Sequence, residues 1–470
     1  MSRPHVVIIG GGFGGLAAAR TLAKANVTIT LIDRRNHHLF QPLLSQVATA
    51  ALNPSDIAYP IRAALAKQKN ARVLLASATS IDVKTKRVEL DDGVLEYDYL
   101  ILATGATHSY FGNAWDELAP GLKSIDDALE IRKRIFTAYE AAERESDPVA
   151  QRERLTFVVV GGGPTGVELA GALGEIGLHT LANDFRTIDP TQVKVVLFEG
   201  GDRVLGAYPP KLSEAGKKSL ERRHVEVRLN TRVTAIDDKG VTFEAGGTTG
   251  SGPGPEIGRL GARTVLGAAG VQASPLGKTL GVPLDRAGRV EVNPDLSIPG
   301  HPNVFVVGDL AKVLDKDGTQ VPGVAQGALQ GGKYVAKLIK AEVEDRADGN
   351  PIDPPAERAR FSYWDKGNMA TIGRASAVVA TKRVAIHGLF AWLMWWAVHI
   401  MFLVGFKNRI LVMFHWGWNW LTFSRGARLI TGETRALPPV RSIDAHGEPA
   451  IHRGAQAVAL QAPEPEQESA

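Results

Sequence analysis

The 470-residue sequence contains no cysteine. Cysteine thiolates hold most iron–sulfur clusters, anchor c-type haem and form the disulfides of redox-active thiol pairs. The sequence therefore excludes cysteine-ligated iron–sulfur clusters, thioether-attached haem and a redox-active disulfide. It also excludes two classes of protein, the disulfide reductases of the glutathione and thioredoxin type and the cysteine-dependent sulfide:quinone reductases.

Strong charge is missing as well. The formal net charge is only +4, and charged residues make up 22% of the chain, which is ordinary for a folded protein. No lysine- or arginine-rich run of the kind that binds nucleic acid occurs. We therefore expect no nucleic-acid partner.

One long stretch, residues 384–406, contains no Asp, Glu, Lys or Arg. As a continuous helix, these 23 residues would extend roughly 34 Å, enough to cross the core of a bilayer. A second apolar block, ILVMFHWGWNWLTF, follows, and the two blocks contain six of the eight tryptophans. Three interpretations remain open: a core helix of a soluble domain, a transmembrane span, and an interfacial hairpin that lies in one leaflet.

The basic residues around these blocks favour interfacial attachment. Lys382 and Arg383 precede the first block, and Lys407 and Arg409 follow it, so no positive-inside asymmetry orients a span. Next to the second block, Arg425 and Arg428 are expected to contact anionic lipid headgroups.

Two glycine fingerprints are the most informative features that are present. VVIIGGGFGGLAAA and FVVVGGGPTGVELAGAL both carry the G-x-G-x-x-G spacing between a β-branched run and an alanine- and leucine-rich helical pattern. The glycines concerned are Gly10, Gly12 and Gly15 in the first motif and Gly161, Gly163 and Gly166 in the second. They permit a tight turn, close approach of backbone to a pyrophosphate, and close packing of helix on strand. Two such motifs predict a protein that binds two dinucleotides at once, which suits electron transfer between FAD and a nicotinamide.

An acidic residue at the end of the next strand is expected to bind each ribose. VTITLID ends at Asp33, and VKVVLFE ends at Glu199. Because a carboxylate at Glu199 would repel a 2′-phosphate, the sequence favours NADH over NADPH.

These motifs predict an α/β fold with two Rossmann-like dinucleotide-binding domains and a C-terminal helical membrane-attachment region. The FAD-binding domain is expected to be discontinuous, with the NADH-binding domain inserted into it. The glycine-rich residues 245–262 have no apolar period and predict a surface loop. The expected boundaries are 5–112 and 276–335 for the FAD-binding domain, 113–275 for the NADH-binding domain, 336–385 for a linking segment, 386–435 for membrane-associated helices, and 436–470 for a disordered tail.

The sequence closely resembles the type II NADH:quinone oxidoreductases, which are single-subunit, non-pumping alternative NADH dehydrogenases. The resemblance rests on GGGFGGL, FQPLLSQVATAAL, ILATGAT, VVGGGPTGVELAG, VFVVGDLA, VAQGALQGGKYVA, YWDKGNMATIGR and FKNR…SRGARLITG. It implies non-covalent FAD, NADH as the substrate, and a membrane quinone, ubiquinone or menaquinone, as the acceptor. It implies hydride transfer to FAD followed by two-electron transfer to quinone, without a metal. It also implies attachment to the cytoplasmic face of the bacterial inner membrane, and it allows a homodimer.

The resemblance assigns most of the binding residues by position. Those implied for FAD are Gly10, Gly12, Phe13, Gly14, Gly15, Asp33, Gln46, Val47, Ala48, Thr104, Gly105, Gly308 and Asp309. Those implied for NADH are Gly161, Gly163, Pro164, Thr165, Gly166, Glu199, Ala269 and Gly270.

Four further residues are implied for catalysis. Glu168 would lie where the nicotinamide meets the flavin, either to move protons or only to orient the ring. Gln326 and Gln330, four apart on one helical face, would bind the quinone carbonyl oxygens. Lys366 would lie near the quinone as a charge or proton contact. Ser45 departs from the family pattern, because an aromatic residue is common at its position.

Two other functions share the double fingerprint. One is a soluble NADH-dependent reductase of a ferredoxin- or rubredoxin-like acceptor, which has no use for the tryptophan-rich C-terminus. The other is an NADH-binding redox sensor, which has no need of Gln326 and Gln330 beside a flavin.

Overall fold

The structure is a computed structural model that describes residues 3–246, 256–345, 358–422, 425–432 and 437–438. The described strands are β1 (His5–Ile9), β2 (Thr28–Asp33), β3 (His37–Leu39), β4 (Ala58–Pro60), β5 (Ala71–Leu75), β6 (Ala78–Asp82), β7 (Arg87–Leu90), β8 (Gly93–Glu96), β9 (Tyr99–Leu102), β10 (Ala106–His108), β11 (Thr156–Val160), β12 (Lys194–Phe198), β13 (Val225–Arg228), β14 (Thr231–Asp237), β15 (Gly240–Ala245), β16 (Glu256–Gly261), β17 (Thr264–Gly267), β18 (Val271–Ala273), β19 (Val290–Glu291), β20 (Ser297–Ile298), β21 (His301–Val306), β22 (Ala311–Lys312), β23 (Asn368–Gly373), β24 (Ser376–Ala380) and β25 (Ala385–Gly388). The described α-helices are α1 (Phe13–Thr21), α2 (Leu44–Ala48), α3 (Pro54–Ile57), α4 (Ile61–Ala64), α5 (Ile125–Arg144), α6 (Pro148–Arg154), α7 (Pro164–Glu175), α8 (Pro210–Glu221), α9 (Ala325–Glu344), α10 (Leu389–Phe402) and α11 (Phe406–Thr422).

The first sheet has the strand order β20-β21-β9-β1-β2-β5, and all its neighbours are parallel except β20 and β21. Its central strand β1 is almost completely buried, as expected when helices cover both faces of a parallel sheet. Strands β20 and β21 come from residues 297–306, so two separate stretches of the chain build this one sheet. Helices α1 and α9 pack so closely that a Cβ on Gly332 would lie 2.2 Å from the carbonyl oxygen of Gly14.

The second sheet, β13-β12-β11-β17, is entirely parallel and lies in the intervening part of the chain. The short antiparallel pair β10–β18 connects the two units. Together the sheets and their helices confirm the predicted α/β fold class.

The prediction of a surface loop over 245–262 is wrong for its last part. Strand β16 pairs antiparallel with β15 along its whole length. Its sequence, EIGRLG, shows no apolar alternation, so this strand follows from cross-strand pairing and not from its own pattern. Gly258 contributes, because a Cβ there would lie 2.4 Å from the ring of Phe243.

The uncharged stretch at 384–406 does not form one continuous helix. The first residues of this stretch form strand β25 of the antiparallel sheet β23-β24-β25. Helix α10 follows and ends at Phe402. The chain turns at Gly405 before α11 begins, and φ at this residue is +92°. A Cβ added at this position would lie 2.8 Å from the Tyr59 ring. No helix in the described parts of the chain combines the length and apolar character that crossing a bilayer requires. The predicted tail, 436–470, lies outside the described residues except for 437–438.

Candidate active site

A cavity of about 1270 Å³ is lined by residues of both units. It brings together most of the residues that the sequence singled out, from both fingerprints and from α9. Those that line it are Gly10, Gly12, Phe13, Gly14, Asp33, Thr104, Gly105, Gly163, Pro164, Thr165, Glu168, Gly270, Gly308, Asp309 and Gln326. Those that do not line it are Gly15, Gln46, Val47, Ala48, Gly161, Gly166, Glu199, Ala269, Gln330 and Lys366.

The first glycine of each fingerprint makes the turn between strand and helix. Gly10 has φ +103° and Gly161 has φ +110°, both in the region that favours glycine. A Cβ would also lie 2.4 Å from the carbonyl oxygen of Ala103 in the first unit and 2.5 Å from that of Ala268 in the second. The two turns are therefore built in the same way.

The other two glycines of each fingerprint have different roles, one in close packing and one in leaving the helix N-terminus open to a ligand. A Cβ on Gly15 or Gly166 would lie 1.8 Å from the carbonyl oxygen of the first glycine in its own motif, so these positions must be glycine for packing. Gly12 and Gly163 precede the first residues of α1 and α7, and no atom lies within 4 Å of their virtual Cβ positions. Both helix N-termini are thus open to the cavity, where backbone N–H groups and the helix dipole favour phosphate.

The two predicted ribose-binding acids are held in matching positions. Asp33 accepts a hydrogen bond from the backbone N–H of Gly11, and Glu199 accepts one from Gly162, each at 2.6 Å. Each carboxylate also accepts a bond from the amide two residues downstream, at 2.7 Å. These bonds hold each carboxylate beside the glycine turn, although only Asp33 lines the cavity.

The first unit also offers groups that fit FAD. The hydroxyl of Thr104 is buried and has no hydrogen-bond partner among the described residues. Gly308, with φ +74°, leads into Asp309, whose carboxylate lies 3.7 Å from the Lys123 ammonium. A polar ligand would satisfy the Thr104 hydroxyl, and the open helix N-terminus would hold its phosphates.

Residues 46–48, which were expected to lie along the flavin, do not line the cavity. Val47 and Ala48 are fully buried, and the guanidinium of Arg132 donates to the Val47 carbonyl oxygen at 2.5 and 2.9 Å. The Gln46 amide oxygen accepts from the indole N–H of Trp416 at 2.5 Å. Helix α2 is short, and only its first residues, Leu44 and Ser45, line the cavity.

Ser45 supports Glu168. The Ser45 hydroxyl donates to Glu168 Oε2 at 2.8 Å, and the backbone N–H of Thr371 donates to the same carboxylate. Burial raises the pKa of Glu168 to about 7, although these two hydrogen bonds act in the opposite direction. A serine at this position therefore gives the carboxyl group a partner, and Glu168 can hold or release a proton near neutral pH.

The two glutamines of α9 lie in different surroundings. Gln326, in its first turn, lines the cavity. Gln330 donates to the carbonyl oxygen of Trp364 at 3.0 Å and accepts from its N–H at 2.9 Å. Its amide is therefore paired with the Trp364 backbone, and Gln330 does not line the cavity in which the quinone was expected. Lys366 Nζ lies 4.8 Å from the Trp364 ring centroid, on an exposed part of the surface outside the cavity.

Comparison with known proteins adds to this geometry. Residues 4–332 match a family model described as pyridine nucleotide-disulphide oxidoreductase. The chain is 47% identical over 480 residues to the type II NADH:quinone oxidoreductase NdhA of Mycobacterium tuberculosis, covering 100% of this chain and 97% of that protein. It is 48% identical over 440 residues to Ndh of the same organism, covering 92% and 91%. This chain belongs to the type II NADH:quinone oxidoreductase family.

The resemblance stated from the sequence is thereby confirmed. A solved structure of NDH2 from Plasmodium falciparum in complex with NADH has the same fold, with a TM-score of 0.79 and 21% identity over 92% of this chain and 100% of that one. This type II enzyme contains no cysteine, so the disulfide chemistry in the name of the matched family model has no counterpart here.

Sequence reasoning missed part of the type II site. Val398, His399 and Phe402 of α10 line the same cavity as the two fingerprints. Helix α10 is apolar nearly all round, so its sequence pattern gives no sign of which face is buried. The histidine in an otherwise apolar run was the one available signal.

Arg425 and Arg428 also differ from expectation. Arg425 is mostly buried and pairs with Glu175 at 3.2 Å, while the partly exposed Arg428 pairs with Asp184. These guanidinium groups attach the C-terminal segment to the second unit, and the expected contact with lipid headgroups is corrected for Arg425.

The pKa of Glu168 should depend on Ser45. In Ser45→Ala the carboxylate loses a hydrogen bond that stabilises its charged form, so its pKa should rise above about 7. The measurement is the pH dependence of FAD bleaching by NADH in the holoenzyme. A midpoint near 7 should move to higher pH in Ser45→Ala and disappear in Glu168→Gln.

Ser146, which is exposed, provides a matched control. Ser146→Ala should leave the midpoint where it is in the unsubstituted protein. An unchanged midpoint in Ser45→Ala would contradict the role given to the Ser45 hydroxyl.

Proposed function

We propose that this protein is a single-subunit flavoenzyme that oxidises NADH and reduces a membrane quinone without pumping protons. One observation carries the proposal: two dinucleotide cradles open into a single cavity that also reaches α10. The names of the M. tuberculosis relatives support the same reaction. A soluble reductase or a redox sensor would have no use for a cavity lined by the tryptophan-rich C-terminal helix.

The first unit would hold FAD and the second NADH. The N-terminus of α1 with Asp33, Thr104 and Asp309 would bind the flavin nucleotide, and the N-terminus of α7 with Glu199 would bind NADH. Bound FAD supplies the two-electron chemistry that connects NADH oxidation with quinone reduction. The chain itself contributes positioning, electrostatics and exclusion of water.

The Glu199 carboxylate sets the choice of nicotinamide. Its oxygens are fixed by the N–H groups of Gly162 and Gly201, beside the turn where the adenosine ribose would lie. The 2′-phosphate of NADPH would be repelled there by a partly buried carboxylate, so NADH is preferred over NADPH.

Glu168 and Gln326 would act around the reacting rings. Glu168 holds a proton near neutral pH and lies at the N-terminal end of α7, next to the cradle for NADH. Gln326 lies in the first turn of α9, where its amide N–H can donate to a quinone carbonyl oxygen. The positive end of the α9 dipole stabilises negative charge at the same place.

An apolar surface on α10 and α11 would attach the protein to one leaflet of the membrane, on its cytoplasmic face. Large apolar side chains on these helices are exposed to solvent, although other faces of the same helices are buried. The exposed ones are Leu389, Phe390, Leu393, Met401, Phe402, Ile410, Leu411, Met413, Phe414, Trp418, Trp420 and Leu421. The exposed side chains of Lys382, Arg383 and Lys407 lie near these helices in the chain and suit anionic headgroups.

Turnover tests the function directly. Purified holoenzyme in detergent should oxidise NADH with a short-chain ubiquinone or menaquinone analogue, and NADPH should be a much poorer donor. Gln326→Leu removes the donor to the quinone carbonyl, so quinone turnover should fall about tenfold or more, while NADH still bleaches FAD.

Gln192, exposed on the second unit, is the control, and Gln192→Leu should keep full turnover. Bleaching by NADH without reoxidation by any quinone would reject the acceptor and point to a protein acceptor or a sensor. Equal turnover in Gln326→Leu would reject the role of Gln326.

Membrane attachment is tested by flotation with vesicles of phosphatidylcholine and phosphatidylglycerol. Phe390 is 78% exposed and Phe414 is 69% exposed, so neither is needed for the core. The double variant Phe390→Glu/Phe414→Glu should reduce the bound fraction at least tenfold, because two apolar anchors are replaced by charge. Deletion is a poorer test, since Trp395 and Val412 of the same helices are buried.

Ile257, 69% exposed on β16, is the control residue. Ile257→Glu should float like the unsubstituted protein. Unchanged flotation of the double variant would show that α10 and α11 are not the attachment surface.

A further inference from the structure

His399 is a buried polar side chain in an apolar helix. It lies on α10, retains 8% exposure and lines the cavity. Its ring stacks on that of Trp395, with centroids 4.2 Å apart, and its Nδ1 lies 2.6 Å from the Trp395 carbonyl oxygen. Ring stacking and this hydrogen bond fix the orientation of the imidazole.

The contact with Trp395 also fixes the tautomer. A carbonyl oxygen only accepts, so Nδ1 must carry the hydrogen that it donates. Burial lowers the pKa of His399 to about 4, so the ring is neutral at physiological pH. Nε2 therefore presents a lone pair, and no described residue donates a hydrogen bond to it.

His399 lines the same cavity as the residues proposed to surround the reacting rings. The Phe40 ring lies 6.1 Å from His399 and 5.8 Å from Phe13, the first residue of α1. An aromatic wall thus runs from the first fingerprint to α10. Gln326 lines the same cavity from the N-terminus of α9.

A quinone and its reduced product differ in hydrogen bonding. The two ring oxygens of a quinone can only accept, whereas the hydroxyl groups of a hydroquinone can also donate. A donor such as Gln326 Nε2 can pair with a quinone oxygen. A fixed acceptor such as His399 Nε2 can pair only with the hydroxyl group of the reduced ring. A quinone oxygen would face the His399 lone pair without a hydrogen between them.

We propose that His399 Nε2 accepts a hydrogen bond from a hydroxyl group of the hydroquinone, so that His399 distinguishes the reduced ring from the quinone. This inference rests on the proposed quinone reductase activity. It makes His399 a product-binding residue, with a contact that forms as the ring oxygen gains its proton. Product inhibition by hydroquinone should therefore depend on His399, and the KM for quinone should not.

Three substitutions separate the two ring nitrogens. Phenylalanine keeps an aromatic ring and removes both nitrogens. Asparagine places its amide where Nδ1 lies, so it keeps the bond to Trp395 and loses the acceptor in the cavity. Glutamine reaches the position of Nε2 and can restore an acceptor there.

The experiment measures NADH oxidation by the holoenzyme with a short-chain quinone, with its hydroquinone added as inhibitor. The inhibition constant should rise about three- to tenfold in His399→Phe and His399→Asn, the effect of one hydrogen bond. His399→Gln should stay close to the unsubstituted enzyme, and the KM for quinone should change less than twofold in all three. His387, exposed on β25, is the control, and His387→Phe should change neither constant.

Equal inhibition constants in the unsubstituted, Phe and Asn forms would overturn the proposal, as would a parallel rise of KM and inhibition constant. Failure of the underlying function gives a different result, because reduced holoenzyme would then not be reoxidised by quinone even with His399 in place.

Discussion

The C-terminal segment, from α11 onward, binds residues 46–58, and through them it supports Leu44 and Ser45, which line the cavity. Five groups of the C-terminal segment donate hydrogen bonds to these residues. Side chains donate in four cases: Asn408 to the Ser55 and Ala58 carbonyl oxygens, Trp416 to the Gln46 side chain, Asn419 to the Ala51 carbonyl oxygen and Arg425 to the Thr49 carbonyl oxygen. The backbone N–H of Ala427 donates to the Ala50 carbonyl oxygen. Ala50 is buried with φ +61°, a strained conformation that its surroundings must hold. Because Ser45 directly precedes these residues and donates to Glu168, the apolar C-terminal helices and the chemical site form one structure.

The sequence predicted well what depends on local chemistry. Both glycine turns and both acidic residues follow from short motifs whose geometry is set within one strand, one turn and one helix. The structure shows why Gly15 and Gly166 must be glycine, and it places Asp33 and Glu199 in matching hydrogen bonds. The α/β class follows from the same motifs, since each implies a parallel strand pair with a connecting helix.

Prediction failed where a residue's role depends on a partner far away in the chain. Gln330 lies four residues after Gln326, the spacing expected of a second quinone-binding residue, but its side-chain amide is hydrogen-bonded to the Trp364 backbone. Arg425 and Arg428 read as surface cations because their partners, Glu175 and Asp184, lie in another unit. The break between α10 and α11 at Gly405 likewise follows from the Tyr59 ring packed against it, which no local pattern shows.

Hydrogen–deuterium exchange of the holoenzyme over residues 44–58, in the unsubstituted protein and in Arg425→Leu, tests whether the C-terminal segment holds this part of the site. Loss of the guanidinium frees the Thr49 carbonyl and leaves Glu175 without one partner, so exchange over 44–58 should be faster while β1 and β11 stay protected. Arg383→Leu, at an exposed position, should exchange like the unsubstituted protein. Unchanged exchange over 44–58 in Arg425→Leu would contradict the claim that the C-terminal segment holds this part of the site.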